Sequence, residues 1–214
     1  MMIYDTKKLC SNEEEEDETP IAGAPVSIIG EDISGDKSNN IFLYETINEQ
    51  SVLKVRKSID KKVVAHRTFL VDNDLDVKSI QSDLHINLYI NSYGGSASDA
   101  FNLHDYIKRC SIPIYTYVEG IAASAAMLIS VAGKKRFMTP NSLLMIQQLS
   151  TWFGTSGEEF KDGKSNFDSF ITIIKKIYTQ NTKLSMEKID DLLERDTYLN
   201  AEECLEYGFV DEIC

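Results

Sequence analysis

Apolar and polar positions follow two rhythms along this chain, and the switches between them mark out the elements. Ile41-Phe42-Leu43-Tyr44 is a short run of β-formers and predicts a strand. Asn48 stands where a helix cap belongs, ahead of Val52, Val55, Ile59 and Val63 at helical spacing. A polar stretch runs from Asp72 to Asp83. Ile86-Asn87-Leu88-Tyr89-Ile90 then reads as a buried strand. It ends in Asn91-Ser92-Tyr93-Gly94-Gly95-Ser96, a turn that leads into a helix ending near Arg109. Ile114 to Val118 is another strand. Gly120 to Ala132 is small and apolar nearly all round, with Ser124 and Ser130 as its only polar side chains, and predicts a helix buried in the core. Strands are expected at Arg136 to Met138 and Leu143 to Gln147. A long helix from Glu158 to Gln180 carries Phe167, Phe170, Ile171, Ile174 and Tyr178 on one stripe. Ser185 caps a further helix bearing Ile189, Leu192 and Leu193. Asn200 and Glu203 form a capping box for Ala201 to Tyr207, Gly208 ends that helix, and Phe209 to Ile213 predicts a closing strand.

Strands alternating with helices argue for a single α/β domain over residues 41–214. Residues 1–40 break the pattern. Their run Glu13-Glu14-Glu15-Glu16-Asp17-Glu18 is a block of like charge in polar, Gly/Pro-containing sequence, too poor in apolar surface to offset its ordering entropy. A disordered acidic arm is expected there, ordered only against a neighbour. The whole chain of 214 residues carries a net charge of -12, which repels nucleic-acid phosphates and anionic lipid. No apolar run is long enough to span a membrane, and the N-terminus lacks the pattern of a secretory signal. Cys10, Cys110, Cys204 and Cys214 show no metal-ligand spacing and read as reduced thiols of a cytoplasmic protein.

Two features carry candidate chemistry. Gly94-Gly95 at a strand-to-helix turn lets the backbone approach a ligand and aim N–H groups at it. Ser124 follows Glu119-Gly120-Ile121-Ala122-Ala123, at a helix start where unpaired N–H groups favour an oxyanion. Its bland alternative is a helix cap. A nucleophilic serine needs a base and an orienting acid. The chain has three histidines, His66, His85 and His104, and none of them is placed by this reading near the carboxyl ends of the strands.

Taken together these segments resemble the proteolytic subunit of the Clp protease, the ClpP family of serine peptidases. Ile86 to Gly95 is similar to that family's strand and glycine turn, with Tyr93 where proline is usual. Gly120-Ile121-Ala122-Ala123-Ser124-Ala125-Ala126 resembles its nucleophile segment. Pro140 to Gln148 resembles the strand that carries its histidine, Glu194 to Glu203 its aspartate segment, and Glu206 to Asp211 its closing strand. The resemblance implies a ClpP/crotonase-like α/β fold in which the helix from Glu158 to Gln180 protrudes as a handle between two rings, near Glu194-Arg195. It implies Ser124 as nucleophile, Asp196 as orienting acid, and the backbone N–H groups of Gly95 and Ala125 as oxyanion hole. It further implies no cofactor or metal, a homo-oligomer of stacked heptameric rings around a chamber, unfolded protein or peptide as substrate, and an AAA+ unfoldase as partner.

Two departures stand out. The acidic arm does not match the family's N-terminal segment. More consequentially, the family histidine falls on Gln147, whose amide has no nitrogen that titrates near neutral pH. The reading is therefore an ATP-dependent Clp-type endopeptidase subunit impaired at its general base. The alternatives are a non-catalytic ring subunit or scaffold and, more remotely, a crotonase-type acyl-CoA enzyme. Lys175 and Lys176, about 50 residues after Ser124, are the other candidate bases, as in Ser-Lys peptidases of a related fold.

Overall fold

The computed structural model describes residues 38–74, 84–147 and 157–214, with side chains of the third segment from Phe167 onward. The acidic arm, most of the Asp72–Asp83 stretch and Gln148 lie outside the described residues. Among the described residues seven strands and six helices follow in the order β1 (Asn40–Leu43), α1 (Glu49–Asp72), β2 (Ile86–Ser92), α2 (Ala97–Arg109), β3 (Ile114–Ala123), α3 (Ala125–Ser130), β4 (Lys135–Met138), β5 (Leu143–Ile146), α4 (Gly157–Asn181), α5 (Met186–Leu193), β6 (Thr197–Leu199), α6 (Ala201–Tyr207) and β7 (Glu212–Ile213). β1, β2, β3, β4 and β7 lie side by side, all parallel. The alternation of helices and strands builds the expected α/β sheet.

Strand periodicity decides what each face does. Ile41, Leu43, Leu88, Ile90, Ile114 and Val118 point to one face and are buried under α1 and α2, whose Val52, Val55, Ile59, Leu103 and Ile107 complete the core. The opposite face carries a stacked row, Phe42–Tyr89–Tyr117–Phe137, with ring centroids 5.2, 4.8 and 4.6 Å apart. Caps close the helices as their sequences predict. Asn48 and Ser51 form a reciprocal capping box on α1, Asn200 and Glu203 another on α6, and Gly208 ends α6 in the left-handed conformation.

One expectation is corrected. Gly120 to Ala123 is strand, not helix; β3 runs through it, and only Ala125–Ser130 is helical. Composition misled here because alanine favours helix only where the backbone is free to choose. Here Ala122 pairs with Ser92 of β2 on one side, and Ile121 to Ala123 pair with Leu143 to Met145 of β5 on the other. The closing strand is also shorter than expected, because Phe209 and Val210 still donate to the Cys204 carbonyl at the end of α6.

Two local interactions tie distant segments together. The Arg136 guanidinium donates to both carboxylate oxygens of Asp211, to the Gly208 carbonyl at 2.8 Å and to the Asn181 carbonyl. This joins β4 to the ends of α4 and α6. His104 on α2 is buried, and its Nδ1–H donates to the Leu128 carbonyl of α3 at 2.8 Å. Burial holds the His104 imidazole below its ordinary value, against the opposing pull of that hydrogen bond and of Asp105; Lys108 adds to the lowering.

Arg136→Leu is expected to cost about 2–3 kcal/mol in urea unfolding, since it strands Asp211 and two carbonyls. Stability is also pH-dependent. Because the folded chain resists protonating His104, the unfolded chain takes up more protons below about pH 6.5, and stability falls as pH falls below that value. His66 is lowered by burial and adds in the same direction. Unfolding curves between pH 8 and 5 (about that range) are expected to show a shallower decline for His104→Gln than for the parent chain.

Candidate active site

The site residues gather where β3 changes neighbour. Its first half, Tyr115 to Val118, pairs with β4, and its second half, Ile121 to Ala123, pairs with β5. Between them Gly120 adopts φ +77°, and two side chains take up the backbone groups released at the switch. Ser142 Oγ accepts the Gly120 N–H at 2.7 Å and donates to the Val118 carbonyl at 3.2 Å, while Asn91 Oδ1 accepts the Ile121 N–H at 3.3 Å. These polar residues hold the last stretch of β3 between β2 and β5.

Ser124 ends that stretch. Its φ of 53° and ψ of -120° are unfavourable for a residue with a Cβ, and Asp74 is the other non-glycine residue with positive φ among those described. The strain arises at a sharp strand-to-helix turn, the type of corner that lifts a nucleophile out of a sheet. Ser124 N–H donates to the Met145 carbonyl at 2.9 Å, which fixes the corner to β5. Its side chain makes no capping hydrogen bond to α3, so a helix-cap role does not account for the serine.

The glycine turn lies directly against this corner. A Cβ on Gly94 would stand 2.6 Å from the Ala123 carbonyl oxygen, 2.9 Å from Ser124 Cβ and 3.0 Å from Ala125 N. A Cβ on Gly95 would stand 2.2 Å from the Ile47 carbonyl oxygen. Ile47 donates to the Gly94 carbonyl and accepts from Ser96 N–H, both at 2.8 Å. Ser92 sets the turn: its buried Oγ donates to the Glu45 carbonyl at 2.7 Å and accepts the Gly94 N–H at 3.1 Å.

Gln147 and Asp196 approach from β5 and β6. These strands are antiparallel, pairing Leu144 with Leu199, Met145 with Tyr198 and Ile146 with Thr197. Gln147 directly follows Ile146, and Asp196 directly precedes Thr197. Thus the backbone positions of Ser124, Gln147 and Asp196 lie at adjacent strand ends. Among the described residues the three side chains make no hydrogen bonds; Asp196 is exposed, and Ser124 and Gln147 are half-buried.

No histidine joins them. His66 is buried on α1, His85 stacks on Tyr115 at the opposite end of β2, and His104 holds α2 to α3. Lys175 on α4 is ion-paired with Asp190 of α5 at 2.7 Å. Sequence reasoning missed the supporting residues Ile47, Asn91, Ser92 and Ser142. Asn91, Ser92 and Ser142 fall inside the singled-out motifs, and their being polar at strand ends was the available signal; Ile47 gave none.

Comparison with known proteins gives the family that this sequence and fold resemble. The sequence model of the Clp protease family matches residues 35–214. The ATP-dependent Clp protease proteolytic subunits of Streptococcus pneumoniae strains 70585 and Hungary19A-6 are each 34% identical over 163 residues, covering 74% of this chain and 80% of theirs. A point mutant of ClpP1 from Listeria monocytogenes superposes with a TM-score of 0.65 at 25% identity, covering 82% of this chain and 91% of that one. The family match begins before β1 and runs to the last residue, so it takes in every strand that builds the Ser124 corner: the chain belongs to the Clp protease family.

Proposed function

We propose that this chain is a Clp-type serine endopeptidase subunit whose site is organised around Ser124 and slowed at proton transfer by Gln147. The observation that carries this reading is the strained Ser124 corner packed against the Gly94-Gly95 turn. In the reaction, Ser124 Oγ attacks the scissile carbonyl carbon, and negative charge moves to the carbonyl oxygen. The N–H groups of Gly95 and Ala125 receive that oxyanion. The first N–H of a helix has no intrahelical partner, which leaves Ala125 available for the role. Collapse of the tetrahedral intermediate expels the amine and leaves an acyl-Ser124, which water then hydrolyses.

Each step needs a group that takes the serine or water proton and returns one to the leaving amine. A glutamine amide can hydrogen-bond Ser124 and Asp196 but cannot cycle a proton near neutral pH. Asp196 would orient whatever stands at position 147. Losing one member of such a triad lowers kcat by on the order of 10⁴-fold or more, with residual turnover from the oxyanion hole and binding.

The working form in this proposal is an assembly of stacked heptameric rings in the cytoplasm, with α4 as the ring-to-ring handle and an AAA+ unfoldase supplying unfolded protein. The exposed pair Phe42 and Tyr44, edge to face at 5.6 Å and 54% and 48% exposed, supports an assembled state. The described cysteines Cys110, Cys204 and Cys214 are free thiols, consistent with a reducing compartment. No described helix is long and apolar enough to cross a membrane.

Gln147→His is expected to raise peptidase activity by about 10³-fold or more and to allow a fluorophosphonate to label Ser124, while light scattering reports an unchanged assembly. An assembled Gln147→His protein that neither cleaves peptides nor takes the label would overturn the proposal. In the same background, Gly94→Ala is expected to abolish turnover by pressing on Ser124 and Ala125, with labelling reduced by at least about 10²-fold.

A further inference from the structure

A cavity of about 780 Å³ opens at the N-terminal ends of the parallel strands, at the far end of the sheet from Ser124. Its charge is opposite in sign to that of the chain. Lys108, Lys134, Arg136 and Lys183 line it together with one acidic residue, Asp211, in a chain of net charge -12. Asp211 is already engaged by Arg136. The three lysines have no carboxylate partner among the described residues: Lys108 Nζ donates to Asn181 Oδ1 at 2.5 Å and Lys183 Nζ to the Leu205 carbonyl at 3.4 Å. All three are exposed to solvent at the cavity mouth. Partial desolvation of the Lys108 ammonium within the cavity mouth, with the nearby positive charges of Arg136 and Lys134, holds it below its ordinary value; an incoming carboxylate would relieve that repulsion.

We infer that this cavity is a docking site for the chain's own acidic run, Glu13-Glu14-Glu15-Glu16-Asp17-Glu18. Three lysines spread round a cavity of this size suit several carboxylates in succession better than one small anion, and the run supplies six in a row. The tether reaches. Asn39 and Pro113 bond to consecutive residues of β2 from its two sides, through Asn87 N–H at 3.0 Å and Ile86 N–H at 2.9 Å. The described chain therefore begins about 10 Å, two strand spacings, from the cavity wall at Pro113. About 20 residues separate Glu18 from Ser38, enough to span about 65 Å when extended. A tethered run at that distance has an effective concentration in the millimolar range, where weak lysine–carboxylate attraction suffices for docking. The attraction is exposed and falls away with salt.

Zero-length carbodiimide cross-linking of the full chain, read by mass spectrometry, tests this. At low salt, Lys108, Lys134 and Lys183 are expected to link to residues 13–18 at least about ten-fold more than Lys57, Lys61 and Lys176 do, and about 1 M salt is expected to abolish the preference. The native pairs Lys54–Glu45 and Lys175–Asp190, at 2.9 and 2.7 Å, serve as controls for a folded chain. A variant with all six acidic residues changed to Gln or Asn is expected to acetylate several-fold faster at the three lysines while keeping both control links. Equal acetylation in the two proteins, or cross-links spread evenly over exposed lysines, would overturn the inference. So would protection by added inorganic phosphate that is the same with and without the acidic run, which marks a small-anion site.

Discussion

The contact on which this site depends is between backbones. Gly94 lies so close to Ala123, Ser124 and Ala125 that a single methyl group would not fit, and Gly95 lies as close to Ile47 on the other side. The β2 turn is thus clamped between Ile47, in the connection from β1 to α1, and the corner after β3. Side chains could not fix that geometry as tightly, because every rotamer adds freedom that backbone hydrogen bonds remove. The same clamp explains the strain at Ser124. A positive φ at a serine persists only where its surroundings over-determine it, and here β5 through Met145, the β2 turn and α3 all bear on one residue.

The partner switch of β3 is the second element of the design. A strand that changes neighbours midway must leave some backbone groups without a ladder partner. Ser142 and Asn91 satisfy them, and Gly120 supplies the bend. The consequence is functional: the second half of β3 delivers Ser124 beside β5 and, through it, β6. Gln147 follows the last residue of β5 and Asp196 precedes the first residue of β6, so the paired ends of these two strands carry both residues. The glutamine amide at position 147 cannot carry a proton near neutral pH.

How much of this the sequence made legible varies with the type of signal. Helix caps were readable from single residues, because capping is local: Asn48, Ser185 and Asn200 each bond within their own first turn. Periodicity gave the α1 and α4 faces, since Val52, Val55, Ile59, Ile174 and Tyr178 are all buried. It failed at Gly120 to Ala123, where small residues carry almost no periodic contrast and the pairing with β2 and β5 decides the conformation. Ile47 was invisible as a site residue because its part is played by main-chain atoms.

By itself, the sequence determined the α/β class, the order of the elements, the family resemblance and the residue types at the site, including the glutamine at position 147. Those depend on local propensity, spacing and identity, which are properties of the chain read in one dimension. The tertiary structure alone decided that Ser124 is strained and not a cap, that none of the three histidines reaches it, and that Lys175 is already paired. It also gathered Lys108, Lys134, Arg136 and Lys183 around one cavity. Each of these is a juxtaposition of segments tens of residues apart, created by strand register and packing and absent from any local stretch of sequence.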